Sequence, residues 1–155
     1  MNILPGDLTH PAVLALLHEH LSSMADHSPA ESIHALQVDE LAAPQISFWC
    51  AWDGAHLAGC GALKALDSGH GEIKTMRTAA AYLRQGVAAQ LLQHIIAEAT
   101  RRGYRRLSLE TGSAAAFKPA QQLYRKFGFD TCGPFADYTL DPFSVFMSRT
   151  LDGER

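Results

Sequence analysis

Hydrophobic residues recur along the chain with two different periods, and the period of about 3.6 predicts three helices. The first predicted helix follows the start signal Thr9-His10-Pro11 and carries the apolar stripe Val13, Leu14, Leu17, Leu21 and Met24. The second runs from about Gly86 to Arg102, before Gly103, and carries Val87, Ala88, Leu91, Leu92, Ile95, Ile96 and Ala99. The third begins near Pro119 and carries Ala120, Leu123 and Tyr124, ending at Lys126.

Alternating hydrophobic and polar positions predict strands between these helices. Ile46, Phe48, Cys50 and Trp52 alternate, Asp53-Gly54 marks a tight hairpin, and the chain returns from His56 to Lys64. The turn Ser68–Gly71 leads into a strand from Glu72 to Thr78, so these three strands are expected to be successive and antiparallel. Shorter strand candidates are a segment ending near Leu4, Arg106–Glu110, Asp130–Gly133 and Phe143–Thr150. Together they predict an α/β domain with a mixed, mostly antiparallel central sheet flanked by helices.

Composition narrows the class of protein. A chain of 155 residues with 47% hydrophobic content is expected to form one globular domain spanning residues 1–155. The net charge of -3 gives no electrostatic footprint for nucleic acid, and no apolar run is long enough to cross a bilayer. Cys50, Cys60 and Cys132 lack metal-ligand spacing, which favours a reducing compartment. We therefore expect a cytoplasmic protein without a metal, a nucleic-acid partner or a membrane partner.

The segment from Met76 to Gln90 carries the strongest chemical signal, because a predicted strand there leads through a turn of small residues into a helix. The first N–H groups of a helix have no intrahelical partner, and the helix dipole adds positive charge at that end. Gly86, Ala88 and Ala89 leave the backbone accessible, and Arg84 and Gln85 add polar groups. This pattern predicts a pyrophosphate site. Neither the P-loop, which requires Lys followed by Ser or Thr, nor the dinucleotide pattern of three glycines is present.

The order of these elements from Glu72 to Asp130 resembles the acetyl-CoA-binding core of the GNAT superfamily of N-acetyltransferases. The resemblance rests on a strand, a Gly-turn-helix, a second strand and a helix that closes with Leu-Tyr-x-x-x-Gly-Phe. It implies a GNAT-like acyl-CoA N-acyltransferase fold, with acetyl-CoA as co-substrate and no metal. The family pattern Arg/Gln-x-x-Gly-x-Gly/Ala falls on residues 83–88 and departs at Leu83. Phe117 departs where many members have Asn. The implied cofactor-binding residues are Met76, Arg77, Thr78, Leu83, Arg84, Gln85, Gly86, Val87, Ala88, Ala89, Phe117 and Tyr124.

Acetyl transfer to an amine requires proton transfers, because a lysine-like amine with a pKa near 10.4 is neutral in only about one molecule in a thousand at pH 7. The resemblance makes Tyr124 the candidate general acid beside the departing sulfur. Glu110, at the end of its strand, and Glu72 are both candidates for the general base, and a chain of water molecules is a third. Backbone N–H groups near Met76 are expected to stabilise the oxyanion.

The predicted acceptor pocket lies under two variable segments, residues 26–34 and residues 135–138. The leading hypothesis is an N-acetyltransferase that acts on a primary amine of a small molecule. Two alternatives remain open: a non-catalytic acyl-CoA sensor, suggested by the departures at Leu83 and Phe117, and an acyltransferase for a longer acyl-CoA. Trp49, Trp52 and Phe143 are candidate contacts of a homodimer.

Overall fold

A computed structural model describes residues 1–151, within which three helices surround a seven-stranded sheet. The helices are α1 (Pro11–His27), α2 (Val87–Arg101) and α3 (Lys118–Lys126). The strands are β1 (Asn2–Pro5), β2 (Ile46–Asp53), β3 (His56–Ala65), β4 (His70–Thr78), β5 (Arg106–Gly112), β6 (Asp130–Cys132) and β7 (Ser144–Thr150). The strands and helices α2 and α3 lie within two residues of their expected bounds, and α1 continues three residues past Met24, the last residue of its predicted stripe.

The strand order is β1-β2-β3-β4-β5-β7-β6, and only the β4–β5 pair among these strands is parallel. This confirms the prediction of a mixed, mostly antiparallel sheet. The expected hairpins β2–β3 and β3–β4 are both antiparallel.

The two faces of the sheet bury different helices. On one face, α2 inserts Leu92, Ile95 and Ala99 among the side chains of β3, β4, β5 and β7, and all three are fully buried. On the opposite face, α1 packs against Cys50, Cys60 and Ala62. The buried residues of α1 are Val13, Leu16, Leu17 and His20, so only Val13 and Leu17 of the predicted stripe are fully buried. The helix is rotated relative to the prediction, and Leu14, Leu21 and Met24 are half-buried.

The parallel pair β4–β5 is short, and this positions the site. Pairing runs only from His70–Ile73 of β4 to Arg106–Leu109 of β5, although both strands continue beyond it. Past Ile73, β4 bulges, because Thr75 and Met76 together stand opposite Gly61 of β3, and Thr75 has φ +57°. The two strands therefore separate toward their carboxyl ends and leave a cleft between them.

The structure shows how far the cysteines and the candidate dimer contacts are exposed. All three cysteines are free, with Cys50 and Cys60 buried and Cys132 half-buried. Trp49 is only 9% exposed and Trp52 is half-buried, whereas Phe143 is 44% exposed, so of the three candidate dimer contacts Phe143 presents the most surface. Within residues 1–151, no helix is long and apolar enough to cross a membrane.

Candidate functional site

Two adjoining cavities occupy the region where β4 and β5 separate. The larger is a cleft of about 560 Å³ that reaches the turn before α2, and the smaller has a volume of about 120 Å³. Six residues line both of them: His20, Met24, Met76, Phe117, Ala120 and Tyr124. We call the larger one the cleft and the smaller one the inner cavity.

The turn before α2 leaves the N–H groups at the helix start without a side-chain cap. Gly86 is the N-cap residue, with φ +83°, and a Cβ atom there would meet nothing within 4 Å. An anion placed beside it meets backbone donors and the positive end of the helix dipole. Arg84, also in the left-handed region at φ +63°, lines the same end of the cleft. The residues present therefore fit a phosphate-bearing group.

The predicted cofactor residues of this turn differ in whether they line the cleft and in whether their side chains are free to contact a ligand. Leu83 and Ala88 line the cleft, and Leu83 is 58% exposed. The Gln85 amide donates to the carbonyl of Ala81 at 3.1 Å, and the Val87 side chain is 1% exposed within the core. Ala89 is half-buried and lies outside the lining of the cleft. Any contribution of Val87 to an anion site is thus limited to its backbone.

Strand β4 forms the wall opposite α3 through Met76, Arg77 and Thr78, all predicted cofactor residues. The Arg77 guanidinium is held by Glu19 of α1 at 3.2 Å, while its Nε lies buried without a partner in residues 1–151. Phe117, the other predicted residue, covers Gly112, where a Cβ atom would lie 2.2 Å from the Phe117 ring. The missing side chain at Gly112 therefore allows the ring to reach the cleft.

Tyr124 lies at the junction of the cleft and the inner cavity. Its ring belongs to the main core and meets Phe129 edge-to-face at 5.9 Å. Burial raises the pKa of the Tyr124 hydroxyl well above its ordinary value. The hydroxyl therefore keeps its proton and acts as a donor throughout the neutral and moderately alkaline range.

The two candidate base carboxylates have different surroundings. Glu72, 2% exposed, accepts hydrogen bonds from Lys74 at 3.2 Å and from the Tyr138 hydroxyl. Glu110 is half-buried and accepts one hydrogen bond, from Ser144 at 2.8 Å, and burial raises the pKa of its carboxyl. Both line the inner cavity. Glu110 is thus the carboxylate without a neighbouring countercharge at hydrogen-bond distance.

Of the two variable segments, residues 26–34 line the inner cavity and residues 135–138 do not. Ser28, Ser32, Ile33 and His34 line it, and Ser32 Oγ donates to Asp141 at 2.6 Å. The His34 ring meets the Tyr138 ring edge-to-face at 4.9 Å. These contacts join residues 26–34 to the segment after residue 135.

Sequence reasoning missed three polar residues of this region: His20, Lys74 and Thr75. No functional role was predicted for His20, and no group of potential metal ligands occurs in the described part of the chain. The signal available was its position, three and four residues after Leu17 and Leu16, on the buried face of α1. Burial lowers the pKa of His20 to about 4, and the charge of Arg77 adds to the effect, so the imidazole is neutral at pH 7.

Comparison with known proteins gives consistent matches. Residues 13–129 match the model of the acetyltransferase (GNAT) family. The chain is 62% identical over 151 residues to an uncharacterized N-acetyltransferase of Bacillus subtilis, YsnE, covering 97% of this chain and 100% of that protein. It is 40% identical over 142 residues to a protein of Azospirillum brasilense named IAA acetyltransferase, covering 90% and 91% of the two chains. A GNAT family acetyltransferase from Elizabethkingia anophelis, solved with acetyl-CoA bound, superimposes with a TM-score of 0.68 at 22% identity over 97% of each chain.

Proposed function

This chain belongs to the GNAT family of acetyltransferases, and from that premise we propose that it transfers the acetyl group of acetyl-CoA to a primary amine of a small molecule. One observation carries the proposal: an uncapped helix start opens onto a cleft whose inner end adjoins a small cavity, with Tyr124 at the junction.

The cleft suits a long, phosphate-bearing donor. The N–H groups at the start of α2 and Arg84 would hold its pyrophosphate. Met76, Arg77 and Thr78 line the wall along which the rest of the donor would extend. When bound, acetyl-CoA supplies an acetyl group activated as a thioester. The related structure from Elizabethkingia anophelis, which contains acetyl-CoA, supports this choice of donor.

The inner cavity suits a small acceptor. A water molecule requires about 10–15 Å³ of such volume, so 120 Å³ accommodates roughly ten non-hydrogen atoms. Its lining combines apolar side chains, among them Met24, Ile33 and Phe117, with a similar number of polar ones. A cavity of this size has no room for several residues of a peptide. We therefore favour a small molecule over a protein substrate.

The charges in the inner cavity favour a cation. Lys74 and Glu72 compensate each other, whereas the Ser144 hydroxyl is the only hydrogen-bond partner of the Glu110 carboxylate among residues 1–151. Because burial raises its pKa, the Glu110 carboxylate is a stronger base than an ordinary glutamate. We assign to Glu110 the removal of the proton from the acceptor ammonium, directly or through one water molecule. Tyr124 donates a hydrogen bond to the sulfur as it departs.

Calorimetric titration with acetyl-CoA, CoA and ATP tests the donor, and release of free thiol over a panel of small amines, amino acids and peptides tests the reaction. We expect binding of acetyl-CoA and CoA but not ATP, and thiol release with small primary amines. Binding without thiol release from any acceptor would favour an acyl-CoA sensor. Faster turnover with succinyl-CoA or a longer acyl-CoA would replace the acetyl assignment, and absence of acetyl-CoA binding would refute the proposal.

A further inference from the structure

Among residues 1–151, only three buried side-chain polar atoms lack a hydrogen-bond partner: His20 Nδ1, Thr75 Oγ1 and Arg77 Nε. All three belong to residues that line the cleft or the inner cavity. Nearly all buried polar groups in folded proteins are hydrogen-bonded, so each of these exceptions needs an explanation. His20 and Thr75 line the inner cavity, which contains the proposed acceptor site.

His20 and Thr75 lower the stability of the free protein. His20 is 5% exposed and Thr75 is 6% exposed, so neither side chain is well solvated. Thr75 also has φ +57° at the β4 bulge, an unfavourable backbone conformation for a β-branched residue. Unfavourable groups of this kind cluster at functional sites, where a ligand satisfies them.

The chemistry of the inner cavity indicates which ligand group they meet. Of the two carboxylates that line the cavity, Glu72 is paired with Lys74, whereas Glu110 has no cation at hydrogen-bond distance among residues 1–151, which favours an ammonium beside it. The imidazole of His20 carries no charge at pH 7, and with its proton on Nε2 it offers a lone pair at Nδ1. The hydroxyl oxygen of Thr75 is likewise an acceptor. A primary ammonium has three N–H donors, and one must leave before the nitrogen can attack.

We propose that His20 Nδ1 and Thr75 Oγ1 accept the two N–H groups that the acceptor amine keeps until its nitrogen attacks, while its third proton goes to Glu110. When the thiolate departs, one of these two protons leaves the nitrogen and ends on the free thiol, and the product amide keeps the other. This inference rests on the proposed function, because it names the groups that recognise the acceptor at the same site. The pair would fix the direction of the nitrogen lone pair. It would also select primary amines, since a secondary amine keeps only one N–H after it loses its proton.

The pair can be tested without any ligand through the thermal stability of His20→Leu and Thr75→Val. Each substitution replaces an unpartnered polar group with an apolar one of similar size, so we expect Tm to rise by about 2–6 °C. Matched controls are His18→Leu, at an exposed position of the same helix, and Thr100→Val, where the hydroxyl donates to Ile96 at 2.9 Å. Neither control should raise Tm by this amount. A fall in Tm for both His20→Leu and Thr75→Val would overturn the inference, because it would mean that the two groups already have partners.

Activity supplies the second arm, measured as thiol release from acetyl-CoA. The probes are 2-phenylethylamine, n-butylamine and ethanolamine, each compared with its N-methyl derivative. We expect the wild type to prefer the primary amine, and each variant to lose about tenfold to a hundredfold in kcat/KM for it. The preference over the N-methyl compound should also shrink. In Thr75→Val the affinity for acetyl-CoA should stay unchanged, because Thr75 lines the inner cavity and not the cleft. Wild-type turnover in both variants would refute the pair. If the wild type acetylates no amine, the proposed function fails, and the Tm result still decides whether the two polar groups lack partners.

Discussion

Replacing Tyr124 with Phe isolates the proposed general acid, because only the hydroxyl oxygen is removed. The ring of Tyr124 belongs to the main core and contacts Phe129, and Phe at position 124 preserves both. Burial is the only cause that raises the pKa of this hydroxyl, so the phenol is a weak acid and full transfer of its proton to a thiolate is uphill. Its role is then mainly a hydrogen bond to the developing thiolate.

This reasoning sets the expected magnitude. General acid catalysis contributes about 10²–10⁴-fold, and the raised pKa favours the lower end, so we expect kcat to fall about 10²-fold. That loss corresponds to about 2.7 kcal/mol of transition-state stabilisation. The affinity for acetyl-CoA measured by calorimetry should change little, and Tm should stay within about 4 °C of the wild type.

Tyr104→Phe is the matched control for this experiment. Tyr104 has the same 7% exposure, belongs to the same core cluster and packs over Gly71, outside the lining of both cavities. Its substitution should leave kcat unchanged. Wild-type kcat in Tyr124→Phe would refute the acid assignment, and an equal loss in both variants would attribute the effect to core packing.

Further variants separate the remaining roles. Glu72→Gln should destabilise the protein by about 3–5 kcal/mol in denaturant melts, because Lys74 is 9% exposed and loses its countercharge. Glu110→Gln should instead lower kcat about 10²–10⁴-fold and remove the acidic limb of the pH–rate profile. Gly86→Ala should weaken acetyl-CoA binding in calorimetry, whereas Gly103→Ala, with nearly the same φ of +84°, should carry the same strain without that loss. Finally, His20 becomes protonated below about pH 6.5 in the unfolded state but only below about pH 4 in the folded state. The free energy of unfolding should therefore fall by about 3 kcal/mol as the pH is lowered between these values. In denaturant melts, His20→Leu should show a smaller loss of stability over the same pH range.

The elements of the fold were predictable because their signals are local. Helix α2 was expected from Gly86 to Arg102 and spans Val87–Arg101, since the glycine turn and the terminal arginines define its ends. Strand β5 was expected to end at Glu110 and continues to Gly112. That extension depends on pairing between Gly112 and Ser144 of β7, a contact that the spacing of residues within β5 does not reveal.

The site was only partly predictable, for the same physical reason. The turn at Gly86 and the helix that carries Tyr124 have sequence signatures of their own. The partners of the two carboxylates do not, because Tyr138 meets Glu72 across 66 residues and Ser144 meets Glu110 across 34. These long-range contacts distinguish a carboxylate in a compensated ion pair from one available to a ligand, and the spacing of glutamates along the chain carries no such information.

The bulge at Thr75 links the fold to the chemistry. If β4 and β5 remained paired past Ile73 and Leu109, the two strands would close the space that now forms the inner cavity. The bulge changes the register of β4 against β3, and Thr75 and Glu110 then line the same cavity from separated strands. The backbone conformation of Thr75 and the unpartnered hydroxyl both oppose folding, so substitutions that relieve them should stabilise the free protein. If those same substitutions impair acetyl transfer, the strain at this position serves the reaction and not the fold.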